Sequence, residues 1–255
     1  MGIVLKSRKQ ISKMREAGRI VHAVLEAIEA ACVPGTSTLD LNHIAERILA
    51  RAGARSAFLG YQPGEEPPYP AVICASVNHT VVHGIPRKDV VLKEGDIVGV
   101  DFACFKDEYC ADAARTIGVG VVSAPARALL DTTREALARA IERCVPGGRL
   151  EDVGAAVQTL AEERGYSVVR ELTGHGIGRA MHEQPAVRNY GTAGRGLRLQ
   201  PGLVIAIEPM INAGGPAVRT LRDGWTVVTE DRSLSAHFEH TVAITEDGPQ
   251  VLTAA

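Results

Sequence analysis

The sequence predicts an α+β protein of two related halves, and three observations carry that expectation. Four segments have the apolar spacing of amphipathic helices, and they come in two successive pairs. Strand-like apolar runs follow each pair. Two short motifs each occur twice: Cys32-Val33-Pro34-Gly35 returns as Cys144-Val145-Pro146-Gly147, and the run Leu92 to Asp101 returns as Leu199 to Glu208. Each copy of the first motif follows a long helix pattern and precedes a shorter one, with Gly53 answered by Gly165 at the same offset. Each copy of the second ends in a carboxylate. A single domain over residues 1–255 is expected, divided near residue 122 into halves of 1–122 and 123–255.

The elements follow in order. Ser7 with Gln10 forms a capping box, and Ile11, Met14, Val21, Val24, Leu25 and Ile28 continue at helical spacing to about Ala31, with Gly18 a weak point. Pro34-Gly35 ends that helix. A second starts near Ser37, puts Leu41, Ile44, Ile48 and Leu49 on one face, and closes at Gly53. Residues 61–70 hold four prolines and a glycine, which support neither a helix nor a central strand, so a loop is predicted. Strands are expected over 71–76, 79–83, 96–105 and 109–121. A third helix runs from Pro125, suited to a first turn, to Cys144, and a fourth from Leu150 to Arg164. From Ser167 onward only strands and loops are predicted.

Composition narrows the function classes. Apolar content of 45% and charged content of 23% fit a folded globular chain. A net charge of −2 without a basic face or tail argues against nucleic-acid specificity and against membrane-surface binding. The five cysteines form no C-x-x-C pair and their odd number makes a poor disulfide framework, so a reducing cytoplasmic location is expected. The N-terminus lacks the apolar region of a secretion signal, and Lys6 stands where a myristoylation pattern needs serine or threonine.

The chemistry centres on Thr173 to Pro185. His175 and His182 lie seven residues apart in a run with glycine at 174, 176 and 178, which disfavours a helix and allows close approach of backbone to a ligand. Four carboxylates stand in otherwise apolar, strand-like surroundings: Asp101, Asp112, Glu208 and Glu239. Asp101 and Asp112 flank a hairpin whose turn is expected at Lys106-Asp107, which would set the two acids directly opposite each other, with Cβ atoms roughly 5 Å apart. Like charges so placed repel, so a cation between them is implied. Four acids with one neutral imidazole balance two divalent cations, and an oxygen-rich set with one nitrogen suits cobalt, manganese, iron(II) or zinc. Metals about 3.5–4 Å apart support hydrolysis. His22, His43, His79, His237 and His240 are read as surface or structural residues.

At these residues the chain resembles the type I methionine aminopeptidases, from about Ser7 to the end. The motifs are Ser76-Val77-Asn78 with His83-Gly84-Ile85-Pro86, Asp101 and Asp112 with ten residues between them, Gly174 to Arg179 with His182-Glu183 and Pro185, Glu208-Pro209, and Asp223-Gly224-Trp225 through Ser235-Ala236 to Glu239-His240-Thr241. The resemblance implies the pita-bread fold, in which two pseudo-symmetric halves with a curved antiparallel sheet covered by helices enclose a dinuclear centre. It implies the short form typical of bacteria. By position, Asp101, Asp112, His175, Glu208 and Glu239 would hold the metals, with Asp112 and Glu239 bridging. Glu208 would also handle the proton of the attacking water. His83 and His182 would contact the peptide, and Tyr61, Tyr69, Cys74 and Trp225 would line an apolar pocket for a methionine side chain.

The implied reaction is removal of the initiator methionine, ahead of a small second residue, by attack of a metal-bound hydroxide on the first peptide bond. The implied partner is the N-terminal methionine of nascent polypeptides, with the ribosome as a further partner and a monomer as the expected state. Phe58, Gln62 and Met181 depart from the residues frequent in bacterial relatives, and the stretch from Pro63 to Pro68 lengthens the adjoining loop. Proline-directed peptidases of the same fold share the ligands. The short length and the Gly-Ile-Gly-Arg pattern weigh against that reading.

Overall fold

The computed structural model describes residues 2–255. In chain order the elements are α1 (Arg8–Ala31), α2 (Thr38–Arg51), β1 (Arg55–Ser56), β2 (Cys74–Val77), β3 (Thr80–Val82), β4 (Ile97–Lys106), β5 (Tyr109–Gly118), α3 (Ala124–Glu142), α4 (Leu150–Glu163), β6 (Ser167–Val168), β7 (Gly174–Gly176), β8 (Glu183–Val187), β9 (Val204–Ile207), β10 (Met210–Asn212), β11 (Val218–Thr220), β12 (Val227–Thr229), β13 (Ser235–His237), β14 (His240–Thr245) and β15 (Gly248–Val251).

The helices start where the sequence supplies caps. The Ser7 hydroxyl accepts the Gln10 N–H while the Gln10 carboxamide accepts the Ser7 N–H, which satisfies two amides that α1 would otherwise leave free. Ser37 and Asp40 repeat the arrangement on α2. Ser123 caps α3, with Pro125 in its first turn.

The strand pairings of the described residues are antiparallel. One sheet runs β1-β4-β2 with β5 on β4, and a five-stranded sheet runs β15-β14-β9-β7-β8. Side chains alternate across each strand, and the alternation separates core from site. On β4 and β5, Val98, Val100, Phe102, Ala111 and Ala113 pack under α1 and α2. Asp101 and Asp112 therefore face the other way. In the second sheet, Ile205, Ile207, Val242 and Ile244 pack against α3 and α4. Burying a side chain the size of Phe102, which has no exposed surface, stabilises each layer by about 1.5–3 kcal/mol.

The recurrent motifs have recurrent geometry. Gly35, at φ 95°, donates its N–H to Leu92 O at 2.8 Å, and Gly147, at φ 84°, donates to Leu199 O at 2.9 Å. Only glycine adopts that conformation without strain. Each first motif thus touches the second motif of its own set.

β5 is stitched to the segment before and within β14. The Glu239 N–H donates to Ala114 O at 2.9 Å, the Asp112 N–H donates to Thr241 Oγ1 at 2.9 Å, and that hydroxyl donates to Asp112 O at 2.8 Å. Thr116 Oγ1 donates to His237 O and accepts the His237 N–H, both at 2.8 Å. This seam joins the two sheets, and the acids converge beside it.

Candidate active site

Asp101 and Asp112 share one face of the β4–β5 hairpin, but not as direct neighbours. Asp101 pairs with Ala114 and Asp112 with Ala103, so the acids are diagonal. The expected turn at Lys106-Asp107 is displaced by one residue. Asp107 and Glu108 form the tip, with φ of 46° and 72°, and Lys106 pairs with Tyr109. A two-residue turn with both φ positive matches the twist of the strands, and no glycine marks it in the sequence. The same-face expectation stands because moving the turn by one residue shifts the pairing by two, and an even shift keeps each side chain on its face.

The remaining ligand candidates arrive from the second sheet. His175 lies on β7 opposite Ala206 of β9, and Glu208 follows the end of β9. Glu239 sits between β13 and β14, held by its bonds to Ala114. One ligand atom each of Asp112, His175 and Glu239 lies within 4.8 Å of the others. His175 Nε2 is 3.7 Å from Glu208 Oε1 and 3.9 Å from Asp112 Oδ2.

These groups fit a metal in several ways. His175 Nδ1 lies 2.9 Å from Gly176 O. A carbonyl oxygen only accepts, so Nδ1 carries the proton and Nε2 turns its lone pair toward the carboxylates. Lone pair and carboxylate oxygens at that range repel unless a cation or a proton lies among them. Asp101 Oδ1, Asp112 Oδ1 and Glu239 Oε1 are buried with no hydrogen-bond partner among the described residues. Buried oxygens left bare cost free energy. The donor set is one nitrogen and carboxylate oxygens, the preference of hard to borderline divalent ions.

The electrostatics agree. Burial raises Asp101, Glu208 and Glu239 well above the usual carboxylate range, with neighbouring acid charges adding to the effect. Burial lifts Asp112 to about 7 against the opposing pull of hydrogen bonds from Asp101 and the Ala113 N–H. Burial, helped by His182, lowers His175 to about 3, and the same two causes lower His83 to about 4. Carboxyl groups that burial and mutual repulsion drive toward neutrality, beside an imidazole that stays neutral, are groups whose charge a divalent cation would balance.

The cage is the floor of a cavity of about 280 Å³. Tyr61, Tyr69, Cys74 and Trp225 all line it, as do His83 and His182. The Tyr69 and Trp225 rings meet edge to face at 5.2 Å, and His83 meets Trp225 at 6.2 Å. His182 stands edge to face on His175 at 4.3 Å. His83 holds φ 58°, a left-handed conformation that costs free energy in a residue with a side chain. Phe58, Met181 and Pro63 complete the walls. Gln62 does not line the cavity; its amide donates to Glu66 O at 2.8 Å within the loop 61–70.

Among the histidines set aside from sequence, His43 and His79 are exposed and His22 is half-buried. His240 meets Thr253 Oγ1 at 2.8 Å. His237 is different. Its ring is buried, its Nε2 lies 3.8 Å from Glu239 Oε2, and that nitrogen has no hydrogen-bond partner among the described residues. The signal in the sequence was its position two residues before Glu239, which in extended chain puts both side chains on one face.

All five cysteines are buried and unpaired. No helix of the described residues is long and apolar enough to cross a membrane.

Comparison with known proteins bears on this arrangement. The family model of metallopeptidase family M24 matches residues 12–246. Methionine aminopeptidase B of Synechocystis sp. is 46% identical over 254 residues, covering 100% of this chain and 93% of that protein. The crystal structure of methionine aminopeptidase from Thermotoga maritima superposes with a TM-score of 0.96 at 41% identity, covering 100% of both chains. The prolidase from Pyrococcus furiosus, at 24% identity and a TM-score of 0.79, covers 99% of this chain and 66% of its own; it shares the pita-bread fold. The chain therefore belongs to metallopeptidase family M24 and, within it, to the methionine aminopeptidases.

Proposed function

We propose that this chain removes the N-terminal methionine of nascent polypeptides whose second residue is small, by metal-dependent hydrolysis of the first peptide bond. One observation carries the reading: five ligand-type side chains, three of them with bare, buried oxygens, form the floor of an apolar cavity walled by aromatic and sulfur-bearing side chains. Aromatic and sulfur surfaces favour a thioether. Its small volume suits a single side chain rather than a folded peptide.

Asp101, Asp112, His175, Glu208 and Glu239 would hold two divalent cations, with Asp112 and Glu239 shared between them. Bound there, such a pair supplies Lewis acidity for attack of water on a carbonyl. Glu208, which lines the cavity with its side chain 15% exposed, would accept the proton of the attacking water. His83 and His182, neutral because burial holds their protonated forms down, would donate a hydrogen bond to the peptide carbonyl as its oxygen gains charge. Residues 1–122 supply Asp101 and Asp112, and residues 123–255 supply His175, Glu208 and Glu239, so the site is read as shared between two halves of one catalytic domain. Because one chain builds the whole cavity, we take the active form to be a monomer, working in the cytoplasm on chains leaving the ribosome.

The test is release of free methionine from Met-Gly-Met-Met by metal-stripped protein with and without added cobalt, manganese or iron(II). Metal-dependent release is expected, with no turnover of x-Pro dipeptides. Release from x-Pro substrates alone would replace this reading with the proline-directed one.

A further inference from the structure

The N-terminal arm reaches the site through a buried ion pair. Lys6 has a side chain only 3% exposed, and its Nζ donates to Glu183 Oε2 at 2.6 Å and to Val4 O at 2.9 Å. The Lys6 backbone N–H donates to Gly202 O at 2.7 Å, which fixes the arm beside the chain that leads into β9. The other Glu183 oxygen, Oε1, accepts the Ala180 N–H at 3.2 Å. Glu183 thus joins the arm to the turn 177–182.

That turn carries two side chains of the cavity, Met181 and His182. It is irregular: β7 and β8 pair as far as Gly176 with Glu183 and shift register there, leaving residues 177–182 outside the sheet. The Gly178 carbonyl accepts the Cys110 N–H at 2.8 Å. A Cβ at Gly178 would fall 2.5 Å from Lys6 Cε and 2.7 Å from Glu183 Oε1. The glycine at this position leaves room for the lysine beneath the turn. A buried lysine needs a partner, and a carboxylate 17% exposed could have stayed in water. The pairing therefore orders the turn from below.

We propose that Lys6 is a positioning residue for His182, acting through Glu183. The inference rests on the reading of His182 as a group that contacts the peptide. Tyr61 and His175 hold the imidazole from the cavity side, at 2.6 Å to Nδ1 and 4.3 Å between rings. Lys6 and Glu183 fix the backbone on either side of His182, at the Ala180 N–H and at residue 183 itself.

The experiment is a double-mutant cycle between Lys6→Met and His182→Ala, on metal-loaded full-length protein with Met-Gly-Met-Met. Manganese titration and ring signals of ¹⁵N-labelled histidine are read alongside. Lys6→Met alone is expected to lower kcat/KM by about ten- to a hundredfold, the scale of an ångström-sized misplacement. In the His182→Ala background it should lower it by less than about twofold, because the two act as a unit. Manganese binding should be unchanged and the His182 ring signals should move while those of His43 stay. Two losses that multiply would overturn the proposal, since a merely structural role weakens both backgrounds alike. Wild-type activity of Lys6→Met, with His182→Ala impaired, would overturn it too. Full activity of His182→Ala would instead remove the reading on which it rests. Should Lys6→Met fail to fold, Lys6→Met with Glu183→Gln runs the same cycle without a lone buried charge.

Discussion

The phenolic oxygen of Tyr61 lies 2.6 Å from Nδ1 of His182, with the rings packed edge to face at 5.4 Å. Burial raises the Tyr61 phenol and lowers the His182 imidazolium, so at neutral pH the phenol keeps its proton and the imidazole is uncharged. With Tyr61 as donor, Nδ1 accepts and the His182 proton sits on Nε2. Tyr61→Phe keeps the aromatic wall and removes this choice of tautomer. Turnover is expected to fall roughly two- to tenfold, the equivalent of about 0.5–1.5 kcal/mol for one hydrogen bond. KM should move by less than about twofold. An unchanged kcat would show that the tautomer is set elsewhere.

The raised carboxyl groups make the metal-free protein sensitive to alkali. In the unfolded chain Asp101, Asp112, Glu208 and Glu239 are ionised above about pH 5. In the folded chain burial keeps them protonated to higher pH, Asp112 to about 7 and the others well above their usual range. The native state then holds more protons than the unfolded state, so stability falls as pH rises through the folded pKa values. The buried histidines have the opposite sign. His175 and His237 titrate near 3 and His83 near 4 when folded, so their effect is complete once pH exceeds about 6.5, their unfolded value. Between pH 6.5 and about 8 the acids alone remain, below the range where the buried cysteines, all raised, begin to add a loss of the same sign. Tm of metal-stripped protein is expected to fall across that interval, and Tm of manganese-loaded protein to stay level. Parallel curves for the two forms would refute the assignment.

Replacing a ligand should stabilise the empty protein. Glu239 is 2% exposed and one of its oxygens has no hydrogen-bond partner among the described residues. Glu239→Gln removes a group that is costly to ionise there and keeps its shape. At pH 8 the metal-free variant is expected to gain about 1–3 kcal/mol over metal-free wild type, as neutral replacements of buried charge often do. Manganese affinity should drop by at least about a hundredfold. Denaturant melts and metal titration of the same samples decide the matter, and a less stable empty variant would contradict it.

The legible parts of this molecule were those with local causes. Ser7 and Gln10 announce a helix start because the capping box closes within one turn, and Gly35 and Gly147 mark turns that only their conformation allows. The acids stood out because ionised side chains in apolar strand sequence need a partner. The register of β4 with β5 was not legible, because Asp107 and Glu108 adopt a turn usually signalled by glycine. Lys6 and Glu183 are separated by 177 positions and meet only once both sheets are in place. His237 was passed over because its neighbour Glu239 explained the segment.

Trp225 ties the proline-rich loop to the cavity. Its Nε1 donates to Pro67 O at 2.7 Å, and the ring is 8% exposed against Tyr69. Trp225→Phe keeps an aromatic face and frees the loop 61–70, which brings Tyr61 and Pro63 to the cavity. KM for Met-Gly-Met-Met is expected to rise roughly three- to tenfold with kcat nearly kept, the pattern of lost uniform binding. A fall in kcat at constant KM would place Trp225 in the chemical step instead.

Gly18 shows that a weak point in a helix pattern can be a contact. A Cβ there would fall 1.9 Å from the Leu252 carbonyl oxygen. The C-terminal segment cannot easily retreat. Arg15 donates to Val251 O and Leu252 O, each at 3.0 Å, and the Leu252 N–H donates to Thr241 O at 2.8 Å. Thr241 in turn is bonded through its hydroxyl to the backbone of Asp112. Judged as helix alone, Gly18→Ala should stabilise α1 by about 1 kcal/mol. Judged by this packing it should destabilise the protein by about 1–3 kcal/mol, because backbone must shift to admit the methyl group. The shift is transmitted along Leu252 and Thr241 to Asp112, so manganese affinity should fall together with Tm. Lower Tm with unaltered affinity would mean that the seam between β5 and β14 absorbs the strain before it reaches the acids.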